Sequence, residues 1–354
     1  MSFGTVSVLG LGKVGLLAAT FLDEAGIEVV GIDQRPPRYV PTFPVKTCNI
    51  ADPETLRAEL TGTEAVLSCL PFHLNRPIAE LAYELGIHYF DLTEDVPTTK
   101  AIVELSKTSA GLMAPQCGLA PGFASIVAAS QIASFDVCRS VRMRVGALPQ
   151  FPTGLLGYSF NWSPEGVVNE YLNDCEVVEE GVHKWVSSME WRETLVIDGV
   201  QLEAFTTSGG LGTMCDTYGA RVANIDYKTI RYPGHVDLMN FFFHELLMRE
   251  RRDLAAEILT NAKPPVDDDV VYVHVSAEGQ IDGHLRRTEF VRSYMPKMVG
   301  GRMSTAIAWT TAGSVASVIE MVRKGTLPRR GLLKQEDIPL DAFLATPTGR
   351  LFAE

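Results

Sequence analysis

Basic residues are the scarce class in this chain. Its 354 residues set 31 Lys and Arg against 43 Asp and Glu, a formal net charge of −12, and no block of Lys or Arg forms a positive stripe. That balance argues against nucleic acid and anionic membrane surfaces as partners and for solubility. The six cysteines (Cys48, Cys69, Cys117, Cys138, Cys175 and Cys215) are scattered, with no C-x-x-C and no Cys/His cluster. A zinc site, any other metal centre or a disulfide framework is therefore not expected, and a reducing cytoplasm fits. No apolar run is long enough to span a bilayer. No signal peptide is expected, because the first apolar strand already begins at Val6. Repeats and low-complexity segments are absent. What remains is a hydrophobic fraction of 46% over a length sufficient for two domains, each with its own core.

The most informative stretch is Val6-Ser7-Val8-Leu9-Gly10-Leu11-Gly12-Lys13-Val14-Gly15. An apolar strand runs into G-x-G-x-x-G, and Leu16 to Ala25 reads as a helix. Gly10 suits the tight turn, Gly12 lets backbone approach a pyrophosphate, and Gly15 lets the helix pack on the strand. The helix start offers N–H groups and the positive dipole end to phosphates. A second strand, Val29 to Ile32, ends in Asp33, eighteen residues after Gly15, near the spacing expected of an acid that holds the adenosine ribose. Strand, turn, helix, strand and acid together predict a dinucleotide site formed by Gly10, Leu11, Gly12, Lys13, Val14, Gly15 and Asp33. A carboxylate at 33 favours NAD. Arg35 could pair with a 2′-phosphate and keeps NADP as the alternative.

The following residues continue the alternation. Prolines 36, 37, 41 and 44 form a loop; Val45 to Ile50 is a short strand; Asp52 and Pro53 cap and start a helix. Ala65 to Pro71 is an apolar strand, Asn75 to Gly86 a helix, His88 to Leu92 a strand, and Gly111 to Pro115 another. This order predicts an α/β fold with a doubly wound parallel sheet. Ligands in such sheets bind at the carboxyl ends of the strands. Leu70, Pro71 and Phe72 are thus assigned to the cofactor, with Phe72 and His73 near its nicotinamide half. Asp91 is either a helix N-cap or a pocket acid, and Cys117 at the next strand end is a candidate substrate contact.

Past the helix Phe123 to Ile132 the character changes. Val137 to Gly146 alternates, with Val141, Met143 and Val145 on one side and Arg142 and Arg144 on the other, as in a half-buried antiparallel strand. Further strands are predicted at 156–161, 194–197, 202–206, 228–232, 270–277 and 284–291, with a hairpin turn within 277–283 and helices at 164–172 and 236–247. The reading is an inserted α+β domain on a mostly antiparallel sheet (125–302), within a first domain formed by 1–124 and completed by 303–354 through an apolar helix from Ser304 to Val322. Three polar clusters stand out in it. At Ser163-Pro164-Glu165 a helix start could bind a carboxylate, with Glu165 as a candidate substrate contact. The loop Thr206 to Thr213 offers Ser208, Gly209 and Gly210. The strand Lys228 to Tyr232 puts Lys228 and Arg231 on alternate faces; Arg231 could fork onto a carboxylate, and His235 is a candidate base.

These residues resemble the saccharopine dehydrogenase family, most closely its lysine 6-dehydrogenase branch. The matching stretches are Gly10 to Gly15, Tyr89-Phe90-Asp91, Gln116 to Gly122, Trp162 to Gly166, the 207–213 loop, Ile230 to His235 and Lys324 to Gly331. The resemblance implies a Rossmann domain, an inserted substrate and dimerisation domain, a homodimer or larger homo-oligomer, and NAD(P)-dependent oxidation at a carbon–nitrogen bond of an amine or amino acid. Glutamate-forming saccharopine reductases typically carry G-L-D-P-G where this chain has Gly118-Leu119-Ala120-Pro121-Gly122, and Ala120 lacks that acid. The expectation is therefore oxidative deamination of the L-lysine ε-amine, with His235 or Asp91 as base and Arg231 on the α-carboxylate. A secondary-amine dehydrogenase of saccharopine or carboxynorspermidine type and a non-catalytic NAD-binding homologue are the alternatives.

Overall fold

A computed structural model describes residues 4–50 and 52–354. In chain order the first elements are β1 (Thr5–Leu9), α1 (Lys13–Glu24), β2 (Glu28–Asp33), β3 (Val45–Thr47), α2 (Pro53–Leu60), β4 (Ala65–Ser68), α3 (Phe72–Leu85), β5 (His88–Asp91), α4 (Val96–Ser106), β6 (Leu112–Ala114) and α5 (Phe123–Ala133). Next come β7 (Val137–Pro149), α6 (Pro164–Leu172), β8 (Cys175–Glu179), β9 (Val182–Val186), β10 (Glu193–Ile197), β11 (Val200–Thr206), α7 (Met214–Tyr218), β12 (Asn224–Arg231), α8 (His235–Asn240), α9 (Arg252–Ala262), β13 (Asp269–Ile281) and β14 (His284–Tyr294). The chain closes with β15 (Lys297–Val299), β16 (Arg302–Ser304), α10 (Ala306–Lys324), β17 (Gly331–Leu332) and α11 (Leu340–Leu344). Two compact units result. One runs up to Ile126 and takes back Met298–Ser304 and Ala308–Glu354; the other holds Val127–Lys297 and Thr305–Ile307.

The first unit is an α/β doubly wound domain. Its seven strands run in the order β17-β6-β5-β4-β1-β2-β3, and every pairing is parallel. The order reverses between β1 and β4, and that switch point opens a crevice outside the carboxyl ends of these two strands. β4 is buried along its whole length, as a strand covered on both faces must be. Leu56, Leu60, Ile78, Ala82 and Ile102 from the helices pack on Leu9, Val66 and Tyr89 of the sheet. Asp52 caps α2 through the Glu54 N–H, with Pro53 in the first turn. The helix expected from Asn75 begins earlier, at Phe72, and keeps Pro77 inside it. The segment after Gly325 returns to this unit and adds β17 beside β6.

The second unit is built on a mixed sheet in the order β10-β11-β12-β7-β13-β14, with β8 on β12 and β9 on β8. Its pairings are antiparallel except for β12 with β7, so β7 is parallel on one edge and antiparallel on the other. The hairpin expected within 277–283 turns at Asp282-Gly283, both with positive φ, the conformation a tight two-residue hairpin turn requires. Two expectations are corrected. The segment 156–161 is irregular rather than a strand: Gly157 sits at φ +57, and Phe160 N–H and Asn161 Oδ1 bond to Lys263 O and Val266 N instead of to a ladder. Arg144 is buried, held by Glu193 and Asp226, whereas Arg142 on the same side is exposed. Among the described residues no helix is long and apolar enough to cross a membrane.

Candidate active site

In the first unit the glycine loop is closed by contact. Gly10 has φ +86, and a Cβ on Gly15 would lie 1.8 Å from the Gly10 carbonyl oxygen. Any side chain at 15 would push α1 off the loop. Gly12 differs: a Cβ there would meet nothing within 4 Å, and α1 starts behind it with no side-chain cap. Open space in front of an uncapped helix start is the cradle a pyrophosphate needs. Lys13 and Val14 in the first turn are half-buried. Leu11 is buried, and its side chain fills the space left by Gly31. The Asp33 carboxylate at the end of β2 accepts the Leu11 N–H at 2.6 Å and the Arg35 N–H at 2.9 Å. Asp33 is thereby oriented at the loop mouth. Each of its oxygens has a further lone pair for a ribose hydroxyl. These residues fit a dinucleotide.

Past the switch point, Leu70 touches the loop, since a Cβ on Gly10 would come 2.8 Å from its Cδ2. Pro71 caps α3, and Phe72 stands edge-on to the exposed His73 ring at 5.8 Å. These two residues open α3 rather than lying in a loop.

Asp91 is fully buried and caps no helix; Asp95 does that for α4, accepting the Thr98 N–H. Asp91 Oδ2 accepts the Tyr89 hydroxyl at 2.7 Å, and Oδ1 accepts the N–H groups of Thr93 and Gln116 at 3.0 and 2.9 Å. Burial raises its pKa to about 6, against the pull of those three bonds. It ties the loop after β5 to the left-handed Gln116 after β6. The adjacent Glu94 is half-buried, and burial, then Asp95 and Asp91, push it up to about 7. Cys117 is fully buried. Its thiol donates to Ala114 O and accepts from Gln335 Nε2, both at 3.2 Å, and burial raises its pKa. This thiol is part of the packing, which corrects its expected role as a substrate contact.

In the second unit β12, α6 and α8 bring a cation into an aromatic cluster. Arg231 is buried. Nε donates to the Tyr171 hydroxyl at 2.7 Å, and Nη1 to Thr229 Oγ1 and Ile230 O at 2.6 and 2.8 Å. The guanidinium lies 4.5 Å from the Tyr158 ring centroid. Burial works against its charge, but Tyr171, Tyr158 and Glu170 more than offset this and hold its pKa above the ordinary value. The bonds that hold the guanidinium run through Nε and Nη1.

His235 sits beside Arg231. Nδ1 is 2.9 Å from the Leu156 carbonyl and Nε2 is 2.9 Å from the Tyr171 hydroxyl. A carbonyl only accepts, so Nδ1 carries the proton. Burial and then Arg231 lower the ring's pKa to about 3, so Nε2 is a bare lone pair that the Tyr171 O–H fills. Both nitrogens are thus engaged within the core, which corrects the assignment of His235 as the base.

Other candidates are engaged elsewhere. Lys228 is buried and donates to Glu193 at 2.8 Å; burial, then Arg144, lowers its pKa. It belongs to an ion cluster with Arg144 and Asp226, not to the Arg231 group. Ser163 caps α6 through the Gly166 N–H at 3.0 Å, and Glu165 stands exposed beside it. That helix start is already capped and flanked by negative charge, so it does not offer the expected carboxylate site. Ser208 donates its N–H to Glu170 O. Gly210 admits the Tyr227 ring, which a Cβ would meet at 2.3 Å, so its close approach is to the protein's own side chain; Gly209 is half-buried. Sequence reasoning placed Tyr158 and Tyr171 in the polar cluster around Ser163 and Glu94 in the strand end after Asp91, but gave none of them a role, and it passed over Tyr227. Among the described residues no group of three or more His, Cys, Asp or Glu could hold a metal ion.

Two family models match the chain: the Saccharopine dehydrogenase NADP binding domain over residues 6–114 and the Saccharopine dehydrogenase C-terminal domain over residues 118–349. Among solved structures, the chain is similar to apo histidine-tagged saccharopine dehydrogenase (L-Glu forming) from Saccharomyces cerevisiae, at 17% identity and TM-score 0.72, over 96% of this chain and 97% of that one. It is also similar to an engineered D-amino acid dehydrogenase bound to NADP+, at 11% identity and TM-score 0.51, over 100% of this chain and 99% of that one.

Proposed function

The chain belongs to the saccharopine dehydrogenase family, and from that premise we propose that it is an NAD-dependent dehydrogenase that oxidises the ε-amine of L-lysine. The net reaction takes L-lysine, NAD+ and water to 2-aminoadipate semialdehyde, ammonia, NADH and a proton. A nicotinamide cofactor held by the Gly10–Gly15 loop, Asp33 and the Leu70–Phe72 strand end supplies the hydride acceptor. The chain's own residues do the rest. Arg231 binds the α-carboxylate through its Nη2 donors. Tyr158 and Tyr171 wall the guanidinium from water, which strengthens that contact.

The observation that carries this reading is the state of the two cations singled out in the second unit. Arg231 keeps donors for a ligand, whereas Lys228 is spent on Glu193. One anion site suits lysine, with its single carboxylate, better than saccharopine, which has three. Asp33 supports NAD over NADP: its charge accepts from ribose hydroxyls and repels a 2′-phosphate.

The test is the NADH absorbance band with purified protein, NAD and L-lysine at alkaline pH, with NADP and saccharopine in parallel. A rise with lysine and NAD supports the reading. A rise only with saccharopine moves the substrate to a secondary amine. Nucleotide binding without reduction of either cofactor makes the chain a non-catalytic homologue.

A further inference from the structure

Amine oxidation needs a proton acceptor, because an ammonium nitrogen has no electron pair to push as hydride leaves the neighbouring carbon. The two residues that sequence favours for this task are both engaged inside the fold: His235 with Tyr171 and Leu156, and Asp91 with Tyr89, Thr93 and Gln116. The topology says where to look instead. Asp33 marks the adenosine side at the end of β2, and the sheet continues β1, β4, β5 in the opposite direction. A dinucleotide that crosses at the α1 start therefore has its nicotinamide half outside the ends of β4 and β5.

Three carboxylates lie at the carboxyl end of β5: Asp91, its last residue, then Glu94 and Asp95. Asp91 braces Gln116. Asp95 caps α4, accepting the Thr98 N–H and hydroxyl at 2.9 and 2.6 Å. Glu94 has neither duty: among the described residues its carboxylate bonds to no residue but its own N–H. Of the three it is the acid whose carboxylate accepts from no other described residue, and it is partly shielded from water. Asp95 and Asp91 are the charged groups that act on it, and both favour its taking up a proton.

We propose that Glu94 is the proton acceptor of the reaction, a role that rests on the amine-dehydrogenase reading above. The N–H bond of the substrate ammonium breaks with its electron pair left on nitrogen, and an O–H bond forms on the Glu94 carboxylate. The resulting neutral amine then has the lone pair that drives hydride, with its own electron pair, off the adjacent carbon.

The test starts from ionisation. Protein labelled with carboxyl-isotope glutamate is titrated by NMR, and Glu94→Gln identifies the resonance. The free protein is expected to show a midpoint near neutrality. NAD+ carries a positive ring and NADH an uncharged one. A carboxylate beside the ring should therefore titrate about one pH unit lower with NAD+ than with NADH. Glu94→Gln should also lower kcat by about 10²- to 10⁴-fold, with the affinity for NADH unchanged. Equal midpoints with the two nucleotides, or a kcat within a fewfold of wild type, overturn the assignment. A midpoint that responds to the ring charge in a protein that leaves L-lysine unoxidised supports the position of Glu94 and overturns the lysine reading alone.

Discussion

The Tyr171 hydroxyl bonds to His235 Nε2 at 2.9 Å while it accepts from Arg231 Nε at 2.7 Å. One oxygen thus fills the bare imidazole nitrogen and sets the aim of the guanidinium. Tyr171→Phe removes that oxygen and leaves a buried donor and a buried acceptor unmatched, at a cost of about 1–3 kcal/mol for each. The expected outcome in denaturant unfolding is a loss of that order. In kinetics the KM for substrate should rise more than kcat falls, because Arg231 loses its orientation and no reacting group is removed.

His235 makes stability depend on pH with a definite sign. Its folded pKa is near 3, below the 6.5 of an exposed ring. The unfolded chain therefore binds more protons, and the contribution is full above pH ~6.5 and lost as pH falls toward 3. The loss by the bottom of that range is about 4 kcal/mol. Unfolding free energy measured across the window should carry this slope, and His235→Gln should flatten it. An unchanged slope in that variant would place the titration elsewhere.

The cofactor loop was legible in the chain because its glycines answer to backbone geometry alone. Gly10 and Gly15 meet through a carbonyl oxygen, and Asp33 reaches only to Leu11 and Arg35 nearby. The doubly wound parallel sheet followed from the alternation of apolar runs and helices. The second unit was harder to read because its determinants are cross-strand. Arg144 looks like a solvent residue until Glu193 and Asp226 arrive from 49 and 82 residues away. The β8–β9 hairpin went unread, since its Glu180-Gly181 turn is a weaker signal than Asp282-Gly283. Asp91 and His235 stand out in the chain as unusual, but nothing in it shows that their hydrogen-bonding capacity is already used. Their partners Gln116 and Leu156 are backbone groups, which no side-chain pattern reports.

Two glycines of the loop should separate folding from binding. Gly12→Ala adds a Cβ into open space, so the melting temperature should stay near wild type while NAD affinity falls. Gly15→Ala drives a Cβ against the Gly10 carbonyl and should lower both. Calorimetric scanning and nucleotide titration on the two variants check the contrast; equal loss of stability in both contradicts a cradle at Gly12.

Lys228 should matter to stability and not to substrate. Its amine is held by Glu193, which also pairs with Arg144. Lys228→Met removes one cation from a cluster whose Glu193 remains about a third exposed. The cost should therefore fall at about 3 kcal/mol, the lower end of the range for broken buried pairs. The KM for substrate should hold. A KM rise without destabilisation would return Lys228 to the substrate site.

Asp33 carries two duties, and its substitution should expose both. Asp33→Ala removes the acceptor for ribose hydroxyls, and charged hydrogen bonds of this kind contribute about 1.5–3 kcal/mol, so NAD should bind about 10- to 100-fold more weakly. The same change removes the repulsion of a 2′-phosphate and leaves Arg35 nearby, so NADP should lose less affinity than NAD or gain some. Asp33→Asn keeps the acceptor oxygen for Leu11 but not the charge. If charge sets the preference, Asn should shift the NAD to NADP ratio nearly as far as Ala while preserving thermal stability. If orientation of Leu11 sets it, Asn should behave as wild type and only Ala should shift the ratio. Paired titrations of both nucleotides on both variants decide between electrostatic exclusion and loop geometry as the source of cofactor choice.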